Sequence, residues 1–154
     1  MKKLTLVCII SVLLSAEIAQ AACARNTEHE SLSMRALQSE LMVAALACGK
    51  KPQYNHYVNQ FSQDLQWQGR VLRDYFKRTY GSAGEREMNQ FVTQMANQAS
   101  RLSLVKSDSA YCQQAEQLFS NVSASLPWQL IDWAQARYAS WHGVPSCTFY
   151  FCRP

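Results

Sequence analysis

The residues whose types fit chemistry are few in this chain: cysteines, histidines and some neighbouring acids. Six cysteines stand at positions 8, 23, 48, 112, 147 and 152. Exported, they would be oxidised, since disulfides persist in oxidising compartments. The histidines His29, His56 and His142 show neither the i, i+4 spacing of a zinc helix nor a two-cysteine partner motif. His142 with Cys147 and Cys152 is a loose set whose thiols fit disulfides better than a metal. The acids Glu28/Glu30 and Glu85/Glu87 stand two apart. Residues at that spacing face different ways on a helix and do not share a catalytic bond. Glycosidase-like work needs two carboxyls across a cleft, for instance Glu40 with Asp64 or Asp132, and nothing in the pattern assembles them. Nucleophile-elbow, phosphate-loop and dinucleotide motifs are missing. No catalytic residue, metal or cofactor is therefore expected.

Disulfides require export, and the N-terminus supplies an address. Lys2 and Lys3 precede an apolar run from Leu4 to Leu14, and Ala19-Gln20-Ala21 presents small residues to a signal peptidase. The pattern predicts a signal peptide over residues 1–21. The run is too short to span a bilayer, and no second apolar span follows. Gln20, three before Cys23, departs from a lipoprotein signal. Cleavage removes Cys8 and leaves five cysteines, an odd number. The strongest expected pair is Cys48 with Cys112. Cys147 and Cys152 fit a small C-terminal loop, or either reaches Cys23, which stays unassigned.

The remaining 133 residues are enough for one domain with its own core. Setting aside Lys2, Lys3 and Glu17 leaves 13 basic and 10 acidic residues, a net charge of +3. So mild a charge suits solubility and weak attraction to an acidic partner, and falls short of the basic stripe that nucleic acid needs. The expected location is the periplasm or the extracellular space.

The elements that must position these groups are helical. Met34, Leu37, Leu41, Ala45 and Cys48 recur at three and four residues, with Ser33 as cap and Gly49 as stop. A longer stripe through Tyr54, Tyr57, Val58, Phe61, Leu65, Leu72 and Phe76 predicts one helix ending at Tyr80-Gly81. Gly69 inside it suggests a bend or a close crossing. Ser82 and Glu85 have capping-box spacing before a third helix reaching Leu102, and Asp108 caps a fourth. Pro127 opens a further helix over Trp128 to Ser140. Short connections make sequential helices antiparallel, so Cys48 and Cys112 fall at one end. The expected fold is all-α: an antiparallel four-helix bundle over residues 22–125, with a C-terminal helix and Cys-containing tail over 126–154 packed on the first helix. A bridge across so long a separation would remove about 4 kcal/mol of unfolded-chain freedom.

Arg70, Arg73 and Lys77 lie on one side of the long helix, opposite its apolar stripe, with Trp67 and Arg78 on the flank. The plain reading is a solvated face. The functional reading is a docking face, since arginine and aromatic side chains dominate interface energies.

The run Met34-Arg35-Ala36-Leu37-Gln38-Ser39-Glu40-Leu41, with Cys48-Gly49, Tyr54-Asn55, Tyr75-Phe76, Tyr80-Gly81, Gly84-Glu85-Arg86, Asn97 and Tyr111-Cys112, resembles a group of small exported proteobacterial proteins. The likeness covers a little over half the chain and excludes the segment from Pro127. It implies an exported helical domain and brings no functional residue with it. The expected function is a macromolecule-binding module of adaptor, inhibitor, immunity or chaperone type, its partner another envelope or secreted protein. The alternatives are a carrier of an apolar ligand, held between the first helix and the Trp128/Trp133/Trp141 segment, and a cell-envelope hydrolase.

Overall fold

A computed structural model describes residues 23–145 and Cys147. These residues are helical and contain no strand: α1 (Asn26–Ala47), α2 (Lys51–Gln60), α3 (Ser62–Tyr80), a 3-10 turn (Gly81–Ala83), α4 (Gly84–Leu104), α5 (Asp108–Ala124) and α6 (Pro127–Tyr138). None of these helices is long and apolar enough to cross a membrane. The expected signal segment and Cys152 lie outside the described residues.

α1 is the axis of the molecule and touches each of the other five helices. Its composition permits this, because Leu32, Met34, Ala36, Leu37, Leu41, Ala44 and Ala45 are all buried and lie around more than one side of the helix. The helix begins two turns before the Ser33 cap read from the sequence. Ser33 itself is buried inside it. The early turns carry polar residues, and distant partners make their burial tolerable: Arg78 reaches Glu28 (2.7 Å), and Ser31 meets Gln68 (2.5 Å). Glu28 also accepts from the Arg25 backbone N–H (2.7 Å), satisfying one of the free donors at the helix start. At the other end Gly49 turns to φ 66°, and Lys50 N–H bonds back to Ala45 O (2.9 Å). This is the left-handed glycine stop read from the sequence.

The expected long second helix is two helices. Phe61 (φ −106°, ψ 20°) interrupts it, although Phe61 N–H still donates to Tyr57 O and Leu65 N–H to Phe61 O. The break is thus a kink, located where the Phe61 ring enters the core against Tyr57. Gly69 makes no close crossing, since a Cβ there would meet nothing within 4 Å. The close crossing falls instead at Gly84, where a Cβ would lie 2.8 Å from Phe76 O. That contact sets α4 tightly against α3. The Ser82 capping box does not form, because α4 starts after Ala83 without a side-chain cap. Ser107 takes the cap position expected for Asp108, which becomes the first residue of α5.

α6 begins at Pro127 and packs Leu130, Ala134 and Tyr138 into the core, in contact with α1. The α1 surface it covers includes Glu40, and Met42 and Leu46 stay exposed. Beyond α6 the chain returns to the N-terminus. Ala24 N–H donates to Pro145 O (3.0 Å) and Cys147 N–H donates to Ala24 O (2.9 Å).

Candidate functional site

The four described cysteines form two bridges, Cys48–Cys112 and Cys23–Cys147. The first ties the end of α1 to the first turn of α5, where a Lys50–Glu116 ion pair lies beside it. The second, with the two backbone bonds at Ala24, pins the start of the chain to the segment after α6. The alternative loop pairing of Cys147 with Cys152 is therefore replaced by the longer Cys23 link. These sulfurs serve as staples and are not free nucleophiles or metal ligands.

Trp67, Arg70, Arg73 and Lys77 are all exposed on α3, Trp67 to 42 %, with Asp74 among them. Arg78 is different and leaves this face. Its guanidinium turns inward to Glu28 (2.7 Å) and Cys23 O (3.3 Å) and lies 5.5 Å from the Tyr75 ring centre. Its partner is 50 residues away, which spacing along α3 cannot reveal.

On the other side of α3 is a groove of about 270 Å³ between α1, α3 and α4. Met34, Leu65, Leu72, Met88 and Val92 give it apolar walls, and Arg35, Gln68 and Arg73 give it polar points. No acid lines it. Gln68 is only 4 % exposed and stands on the apolar stripe between Leu65 and Leu72, a position where helix periodicity calls for an apolar residue. Ser31 Oγ donates to its Oε1 (2.5 Å), and Nε2 finds no partner in the protein. Ser31 Oγ also lies 2.8 Å from Thr27 O. It has one proton, so turning the amide over would only exchange which end is left unmatched.

Arg35 donates from Nη1 to Gln38 (2.7 Å), and its buried Nε likewise has no partner. Burial pushes this guanidinium down from its ordinary range, and the neighbouring Tyr54 and Tyr57 offset that only in part. Gly69 opens the wall, since a side chain there would occupy free space. The readable signals for this site were a glutamine on a core stripe and a glycine inside a helix. The first breaks the apolar period without interrupting the helix, and the second reads in the sequence as a bend or a crossing.

The acids are otherwise employed. Glu28 holds Arg78, and Glu40 accepts from Tyr138 Oη (2.6 Å) and Arg137 Nη2 (3.1 Å). Tyr138 is fully buried, and burial and the Glu40 charge push its hydroxyl above the usual phenol range. Glu85 and Glu87 sit in the first turn of α4, where they complement the helix dipole. Burial, with Asp132 nearby, raises the Glu30 carboxyl.

His29 and His142 face each other, their ring centres 5.0 Å apart. His142 Nδ1 accepts from Val144 N–H (3.2 Å), and both Nε2 atoms are buried without a partner. Burial, then the neighbouring His29, pushes His142 down to about 4. His56 is exposed elsewhere on α2. Among the described residues no three His, Cys, Asp or Glu side chains gather as a metal site would require.

Between the first helix and the tryptophan segment, where a carrier pocket was expected, Leu130, Ala134 and Tyr138 are buried. Trp133 instead borders a shallow cavity beside Asn121, Val122 and Leu130, between α5 and α6, and Trp128 is exposed. Compared with known proteins, the chain matches no family model, no curated protein and no solved structure.

Proposed function

We propose that this chain is an exported, disulfide-held helical bundle, antiparallel along its long helices, that binds an acidic protein partner through the outer face of α3. The observation that carries this reading is the exposure of Trp67 together with Arg70, Arg73 and Lys77 on one side of a helix whose opposite side is core. An exposed tryptophan among arginines combines a large apolar contact with charge, the composition of interface anchors. The cations would steer an acidic partner and set its orientation. Two bridges and a mild net charge suit life outside the cytoplasm. No substrate turnover is part of this reading, because the buried acids are engaged in ion pairs and hydrogen bonds within the fold.

The test is affinity capture from the native envelope with the oxidised full chain, set against Arg70→Glu/Lys77→Glu. Arg73 is kept because it also borders the groove. A single acidic protein retained by the parent and reduced at least tenfold by the double variant is the expected result. Equal retention by two equally folded chains would contradict the reading.

A further inference from the structure

The groove between α1, α3 and α4 carries a second site, which shares only Arg73 with the outer face of α3. We infer that it binds a small amphipathic carboxylate, a compound with an acid head and a short apolar body. Three observations point there.

Two of the residues that line it each carry one unmatched polar atom. Gln68, nine-tenths buried and more, leaves one end of its amide without a partner, and Arg35 leaves its Nε so. Buried polar groups are normally paired, and an exception needs a reason. A ligand that supplies the missing partner is such a reason.

The charge has one sign. Arg35 and Arg73 both line the groove, no acid does, and Arg35 spends Nη1 on the neutral Gln38 amide. A carboxylate is the planar anion that the fork of a guanidinium matches best.

The walls are apolar and the room is modest. Met34, Leu72 and Met88 surround the space, two of them methionines that adapt to irregular shapes. Gly69 has no Cβ where one would meet nothing within 4 Å. A volume of 270 Å³ falls just under the usual lower bound of about 300 Å³ for a ligand cavity, which selects a small molecule and rejects a two-chain lipid.

This inference does not rest on the protein-binding reading, because Arg70, Lys77 and Trp67 take no part in the groove. The test uses the oxidised full chain and three probes of equal apolar length: octanoate, octanol and octylammonium. Calorimetric titration should give saturable one-to-one binding of octanoate, with octanol at least tenfold weaker and octylammonium weaker still. Gly69→Leu fills the groove and improves the helix, so it should abolish octanoate binding without lowering the unfolding midpoint. Arg35→Gln should cut octanoate affinity at least tenfold and leave octanol unchanged, an outcome that keeps the test valid should Gly69→Leu fail to fold. Octanoate bound no more tightly than octanol, or unaffected by both substitutions, would overturn the site.

Discussion

α1 buries polar side chains against α6 and against α3, and it treats the two contacts in opposite ways. Toward α6, Glu40, Tyr138 and Arg137 close on one another: the carboxylate accepts from the phenol and the guanidinium, and Arg137 Nε donates to Tyr138 Oη (3.0 Å). Toward α3, Ser31, Gln68 and Arg35 leave one amide end and one guanidinium nitrogen unmatched beside an open groove. A polar cluster that completes its own hydrogen bonds is mortar between helices, whereas one that does not is either a defect or a place for a partner. The lack of acids and the missing Cβ at Gly69 favour the partner.

The largest effect should come from the sealed side. Tyr138→Ala removes a fully buried ring and one of the two donors to Glu40 and should cost about 3–5 kcal/mol, read from urea unfolding. A loss below 1 kcal/mol would mean that α6 is only loosely attached. On the exposed outer face of α3, Trp67→Ala should leave stability within about 0.5 kcal/mol and weaken partner capture by about 2 kcal/mol. Unfolding and retention measured on one preparation separate these two numbers.

A third polar contact, His29 against His142, lies between these extremes. Burial, then the neighbouring His29, holds His142 neutral down to about 4, whereas the unfolded chain takes up its proton near 6.5. Between those values the unfolded state binds more protons, so stability is full above 6.5 and falls as the pH drops toward 4. The loss, discounted for the part exposure of the ring, is on the order of 1 kcal/mol. Unfolding midpoints of the parent and His142→Asn, compared at pH 7 and pH 4.5, should converge at the lower pH. The last expected effect is a gain: Gly69→Ala should add about 1 kcal/mol, because the helix loses an unfavourable glycine and the methyl meets nothing.

The parts of this fold that were legible in the sequence are those written in local chemistry. Gly49 stops α1, Pro127 opens α6, and the spacing of Arg70, Arg73 and Lys77 puts them on the outside of α3. The sulfur pair Cys48 and Cys112 also followed, because helix order brings chain ends together. What stayed hidden depends on distant partners. The first two turns of α1 read as polar loop until Gln68 and Arg78 arrive, from 37 and 50 residues away, to pair with Ser31 and Glu28. Arg78 left the docking face for the same reason. The kink at Phe61 follows no proline or glycine, so the apolar period ran through it unbroken. The groove was hardest to see, since its walls come from three helices and its defining feature is a mismatch.

The contrast between the two sides of α1 is most directly tested by urea unfolding of Tyr138→Phe and Gln68→Leu in parallel. Removing the phenol proton from a completed cluster should cost about 1–3 kcal/mol. Replacing the half-matched glutamine with an apolar side chain should leave stability within about 1 kcal/mol of the parent or raise it. If Gln68→Leu proves as damaging as Tyr138→Phe, the groove side is mortar as well, and the distinction between a structural and a binding face of α1 is wrong.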